Sequence, residues 1–173
     1  EDFPEMSSGE MPCGFTIDTS DLARLIDKTR FAISTEETRY YLNGIFLHSV
    51  DNELRSVATD GHRLACIKSD LPPGAEDMPS IIIPRKTIGE VRKLIEDSSD
   101  ELEIKVSDTK IQFNFNDVQL TSKLIGGTFP DYERVIPKNN DKELLIDTKV
   151  FASSIDRVAT ISSDKSKAVK FLL

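Results

Sequence analysis

The sequence predicts an α+β fold, two helices packed on two antiparallel sheets, built from a strand–helix–three-strand unit that occurs twice. Three observations predict it. Apolar residues recur at helical spacing in two stretches: Leu22, Leu25, Ile26 and Thr29, then Ile88, Val91, Leu94 and Ile95. Each stretch follows a short β-prone run and precedes three more, divided by turn pairs such as Asp51-Asn52, Asp60-Gly61 and Asn116-Asp117. Finally, the opening elements return: shifted by 129 positions, Ile17-Asp18-Thr19 falls on Ile146-Asp147-Thr148, Ala23 on Ala152 and Ile26-Asp27 on Ile155-Asp156. A second copy of the domain therefore begins late in the chain.

Taken in order, residues 1–13 carry Pro, Ser, Gly and acid without periodicity and read as a linker. Phe15-Thr16-Ile17 is a short strand, and Asp18, Thr19 or Ser20 N-caps a helix that runs to about Phe31. After a polar loop, residues 42–48 form a strand, and the Asp51-Asn52 turn leads to two more that flank Asp60-Gly61. A Pro-Gly loop precedes strand Ile81-Ile82-Ile83, and Pro84 fits the first turn of the second helix. Strands over 101–107, 110–116 and 118–125 complete the unit. The middle domain spans 14–131, a linker 132–142, and the truncated start of the next domain 143–173, with a strand at Glu143–Ile146, a helix over 148–159 and a cut strand at the end. Both ends read as cuts in a longer protein.

Composition narrows the function. With 173 residues, 38% hydrophobic and 30% charged, the chain has enough apolar matter for one large or two small domains. No apolar run approaches the roughly 20 residues of a spanning helix, so no membrane partner is expected. Cys13, Cys66, His48 and His62 share no ligand or disulfide spacing; no metal and no cofactor are expected, and a reducing cytoplasm fits. A net charge of −8 argues against nucleic-acid binding by bulk charge. It leaves room for cations gathered on one face, and two helix faces offer them: Arg24 with Lys28, and Arg85 and Lys86 with Arg92 and Lys93.

The stretch Thr59-Asp60-Gly61-His62-Arg63-Leu64 is the chain's most pointed motif. Asp-Gly supplies the turn, and a plain hairpin has no need of His62 and Arg63 at its tip, which marks a binding loop. An enzyme reading would use Asp60 with His62, or Cys66 as a nucleophile. No Ser or Cys is placed beside the first pair, and the alternating pattern puts Cys66 in the core, so no catalytic residue is assigned.

Five segments together carry a resemblance: Arg39-Tyr40-Tyr41-Leu42-Asn43-Gly44, Thr59-Asp60-Gly61-His62-Arg63-Leu64-Ala65, Pro84-Arg85-Lys86, Thr121-Ser122-Lys123-Leu124 and Phe129-Pro130-Asp131-Tyr132. In this order and spacing they resemble the bacterial DNA polymerase III β subunit family, the sliding clamps, over nearly the whole chain from Phe15. The resemblance implies the DNA-clamp fold and a non-catalytic processivity factor. Members are head-to-tail homodimeric rings that encircle duplex DNA without regard to sequence. They tether the replicative polymerase catalytic subunit, the clamp loader and repair polymerases through linear peptide motifs.

By motif, the resemblance places the peptide pocket at Leu42, Thr59, Gly61, His62, Arg63, Leu64, Pro130, Arg134 and Val135. Leu42, Leu64, Pro130 and Val135 would form an apolar socket, while His62, Arg63 and Arg134 would hold carbonyls or a carboxylate. It places DNA contacts at Arg39, Tyr40, Tyr41, Arg85 and Lys86; the helix-face cations Arg24, Lys28, Arg92 and Lys93 are added from the pattern alone. Glu133 departs from the basic residue many clamps carry there, and the residues that complete the family's pocket are absent. Ring closure in the family joins the first domain of one subunit to the third of the next; with the first missing and the third cut short, no closed ring is expected of this chain. The alternative is a stand-alone peptide-binding module that uses a sheet edge.

Overall fold

A computed structural model describes residues 9–96, 98, 100–161 and 168–172. The chain divides after Pro130 into two compact units. In the first, β1 (Cys13–Asp18) leads into α1 (Thr19–Asp27) and a meander of β2 (Gly44–Val50), β3 (Glu53–Thr59) and β4 (Leu64–Asp70). The order then repeats with β5 (Ile81–Pro84), α2 (Arg85–Leu94), β6 (Glu101–Val106), β7 (Lys110–Phe115) and β8 (Val118–Lys123).

The two halves exchange their leading strands. One sheet has the order β1-β6-β7-β8, the other β4-β3-β2-β5. Thus β1 pairs antiparallel with β6, Phe15 opposite Ile104, and β5 pairs antiparallel with β2, Ile83 opposite Ile45. Alternation then turns Phe15, Ile17, Leu102, Ile104, Ile111 and Phe113 of one sheet, and Ile45, Leu47, Leu54, Ile81 and Ile83 of the other, into one core. Helix α1 adds Leu22, Leu25 and Ile26, and α2 adds Ile88 and Val91. A buried polar knot ties α1 to β3: Thr29 Oγ1 donates to Leu25 O at 2.7 Å and lies 3.0 Å from Ser56 Oγ, which bonds Leu25 O at 3.2 Å.

The outer faces of the two sheets differ. The β6–β8 face is polar, with Asn114 Nδ2 donating to Glu103 Oε2 at 2.7 Å and Gln112 Nε2 to Thr121 Oγ1 at 3.2 Å. The outer face of the β2 sheet is apolar at its centre, where Val57 and Ile82 are buried although neither belongs to the main core. Phe46, between them in register, stacks on Phe129 with centroids 4.6 Å apart and rings 3° from parallel. The segment that carries Phe129 is fastened by Ile125 N to Ile82 O at 2.9 Å and Leu124 N to Thr109 O at 2.9 Å.

Several expectations need correction. Helix α1 stops at Asp27, and the run to Phe31 ends in a 3-10 turn, Arg30–Ala32, because Thr29 bonds back to the helix carbonyls. Leu42 belongs to a 3-10 turn, Tyr40–Leu42, and the strand begins at Gly44. Pro84 closes β5 and N-caps α2, its ψ of 143° being extended. Cys13 lies in β1 and is buried, which shortens the linker; its residues 1–8 lie outside the described residues. Cys66 is exposed: the pleat of β4, an edge strand, turns Ala65 inward and Cys66 outward.

The second unit contains a 3-10 turn, Tyr132–Val135, and α3 (Thr148–Thr160). The repeat holds at the helix start: Asp18 and Asp147 are the N-caps of α1 and α3, with φ of −60° and −64°. Only Asp147 caps with its side chain, accepting from Val150 N at 2.9 Å. The strands expected at Glu143–Ile146 and at the chain's end are not formed among the described residues. A strand exists only when a neighbour takes its N–H and C=O groups, and none of the described residues does so here. Leu144, Leu145 and Ile146 remain exposed, α3 buries no residue, and Phe171 packs on Phe151 at 5.4 Å. Residues 162–167 and Leu173 lie outside the described residues.

Candidate functional site

The loop between β3 and β4 is organised by one carboxylate. Thr59 pairs with Leu64 across the strands, leaving four residues to turn the chain. Asp60 Oδ1 accepts from His62 N at 2.9 Å and Arg63 N at 3.0 Å, and its Oδ2 accepts from Arg63 Nε at 3.1 Å. Thr59 Oγ1 donates to Arg63 O at 2.8 Å and accepts from Gly61 N at 3.1 Å. Every backbone N–H of the tip from Gly61 to Arg63 is thus held by a side chain of the loop itself. The bonds from the Arg63 and His62 amides, with the Arg63 charge, hold the Asp60 carboxyl below the usual carboxylate range. Gly61 has a φ of 88°, natural only for glycine, and a Cβ there would collide with Nη1 of Arg39.

With its polar groups satisfied from inside, the loop offers side chains outward. His62 and Arg63 are exposed and Leu64 half-buried. The Arg63 guanidinium lies 5.7 Å from the centroid of Phe31, itself 56% exposed, a cation–π contact on the surface. Beside the Phe46–Phe129 stack an open cavity of about 300 Å³ is lined by Ile82, Leu124, Gly126, Gly127 and Thr128.

The structure brings Thr59, Gly61, His62, Arg63 and Leu64 together. Leu42 is 3% exposed and presents no open wall. Pro130 is exposed at the end of the first unit. In the second unit Val135 is 66% exposed, and Arg134 pairs with Asp131 at 2.6 Å.

Among the described residues, the expected cationic residues separate into those with no ion pair and those engaged in one. Lys28, Arg85 and Lys86 are exposed, the last two opening α2 with no acid in its first turn. Arg24 pairs with Asp21 at 3.4 Å and Lys93 with Glu90 at 3.1 Å, both on their own helices. Arg92 crosses to α1, its Nε 3.0 Å from Asp27 Oδ2, and so braces the two helices together. Tyr40 is 56% exposed and Tyr41 half-buried, their rings edge-on at 5.8 Å. Arg39 bonds Glu36, its Nε 2.9 Å from Oε2. Among the described residues, no group of His, Cys, Asp and Glu is placed to hold a metal ion.

Sequence reasoning missed three contacts. Asp60 and Glu36 each stand three residues before the arginine they bind, a legible acid–x–x–base spacing. Phe31 gave no signal, since its role depends on a loop 32 positions away.

The fold and loop decide the comparison with known proteins. The family model for the DNA polymerase III beta subunit central domain matches residues 16–131, and that for the C-terminal domain matches residues 133–173. The chain belongs to the DNA polymerase III beta subunit family. A beta sliding clamp of Caulobacter vibrioides is 54% identical over 173 residues, which is 98% of this chain and 46% of that protein. One from Rickettsia bellii is 42% identical and is likewise covered to 46%. A solved C. crescentus beta sliding clamp superposes with a TM-score of 0.91 at 54% identity, over 96% of this chain and 46% of that one. The chain therefore spans about half the length of the beta subunit relatives it matches. Among the described residues no helix is long and apolar enough to cross a membrane.

Proposed function

We propose that this chain is the middle domain, residues 14–131, the linker 132–142, and the start of the third domain, 143–173, of a bacterial sliding clamp. The clamp is a non-catalytic processivity factor of cytoplasmic DNA replication. As a head-to-tail dimer it encircles duplex DNA, which Arg85, Lys86, Tyr40, Tyr41 and Lys28 contact through phosphates, with weaker parts for Arg24, Arg92 and Lys93. It tethers the replicative polymerase, the clamp loader and repair polymerases by peptides that dock at Thr59–Leu64 with Leu42, Pro130, Arg134 and Val135.

The observation that carries this reading is the internally satisfied Thr59–Leu64 loop. A loop that holds its own backbone loses little entropy when a ligand arrives, so exposed His62, Arg63 and Leu64 are preorganised for a short chain. The apolar patch beside it, on one sheet's outer face only, suits hydrophobic anchors. The 51%-identical clamp of Bartonella birtlesii was solved bound to griselimycin, which supports reading a ligand-binding site in this family.

The test is a fluorescence-anisotropy titration of a labelled hydrophobic peptide, Gln at its start and Leu-Phe at its end, into this chain. Saturable binding weakened at least tenfold by both His62→Ala and Leu64→Ala is expected. Binding that ignores both substitutions would move the site elsewhere.

A further inference from the structure

We propose that Arg39 is a positioning residue of the peptide-binding loop, one that ties two parts of the site together and is not available to phosphate. This rests on the peptide-docking reading of Thr59–Leu64 only for its second readout. Three contacts assign the role. The backbone O of Arg39 accepts from Leu42 N at 2.9 Å and so shapes the 3-10 turn that sets Leu42 in place. Its guanidinium occupies the space where a Gly61 side chain would stand, at the tip of the binding loop. Its Nε and Nη2 both meet Glu36 Oε2, at 2.9 and 2.7 Å, which fixes the plane of the group. Leu42 and Gly61 are 19 positions apart in sequence, and Arg39 touches both.

The chemistry favours a brace over a charge. The Arg39 side chain is 35% exposed, the Nε–Nη2 edge of its guanidinium is spent on Glu36, and Nη1 stands against Gly61, so little of the group is left open to a phosphate. What remains is a flat, rigid surface against a glycine that has no side chain of its own to hold it. Lysine would keep the charge and lose the plane. Without the brace, the tip keeps its bonds to Thr59 and Asp60 but gains room to move at Gly61, and His62 and Arg63 are held less firmly in direction.

The experiment compares the whole chain with its Arg39→Ala, Arg39→Lys and Glu36→Gln variants. Amide hydrogen exchange by NMR at Gly61, His62 and Arg63 is the first readout, with β2 and β6 amides reporting that the fold is intact. Exchange at the loop at least fivefold faster in both Arg39 variants, and faster in Glu36→Gln, is expected, with β2 and β6 unchanged. The second readout is affinity for the same labelled peptide, expected to fall at least threefold in both Arg39 variants. Loop amides unmoved in Arg39→Lys, or a Glu36→Gln variant that leaves the loop in place and binds duplex DNA more tightly, would overturn the proposal and make Arg39 a phosphate contact. If the unsubstituted chain takes no peptide, the docking reading fails on its own, and the exchange rates still decide the brace.

Discussion

Asp60 does at one position what a whole turn type usually does. Its carboxylate replaces the carbonyl that a tight turn would offer, so two backbone amides and one guanidinium converge on it. Removing it leaves those donors to water and frees the loop. Asp60→Ala is expected to cost about 1 kcal/mol, by analogy with side-chain caps of helix ends, read as a shift in the urea midpoint. The same bonds favour the ionised carboxylate, so its folded-state pKa lies below the unfolded value of about 3.9. The contribution is therefore full at neutral pH and is lost as pH falls through the depressed folded value. A carbon-detected NMR titration should place the Asp60 midpoint below the unfolded carboxylate value, and a midpoint at or above that value would refute this account. Gly61→Ala meets two obstacles, a positive φ and the Arg39 guanidinium, and is expected to cost more than Asp60→Ala in the same urea experiment.

Among the elements, hydrophobic period made both helices and all eight strands of the first unit legible. Leu102 and Ile104 alternate with Glu103 and Lys105 in the sequence as they do in β6. Pairing was not legible. That β1 would leave its own half to join β6 depends on contacts between residues about 90 positions apart, which no local pattern encodes. The same limit explains the strand expected at Glu143–Ile146: its residues have β propensity, but propensity without a neighbour makes no ladder. It also explains Cys66, where alternation was read correctly and the buried parity was not. At the candidate site, the turn and the basic residues could be read directly. Their engagement, Arg92 with Asp27 and Arg39 with Glu36, needed the fold. Two predictions belong at this scale. Leu102→Ala, at a side chain 1% exposed, should cost about 3 kcal/mol in chemical denaturation. A double-mutant cycle on Phe46 and Phe129 should show coupling of about 1 kcal/mol, because their stacked rings hold the Leu124–Pro130 segment to the sheet.

For the molecule as a whole, a net charge of −8 and a basic helix face pull in opposite directions. Duplex DNA should therefore bind weakly and with a clear salt dependence. Each phosphate contact contributes a slope of about −0.9 in log affinity against log salt. Lys86→Ala should lower the slope by about one contact's worth across unrelated sequences, as measured by anisotropy at several salt concentrations. An unchanged slope would take Lys86 off the DNA surface. The exchanged strands have a consequence of another kind. Neither half of the first unit can complete a sheet alone: one lacks β5 beside β2, the other lacks β1 beside β6. Each half on its own would be a sticky fragment, and two such fragments would be mutual chaperones. A gene encoding a single half would have yielded a protein only as a pair, so duplication and fusion would have linked partners that already needed each other. Cleavage of the peptide chain between β4 and β5 should accordingly leave two pieces that stay together through a sizing column.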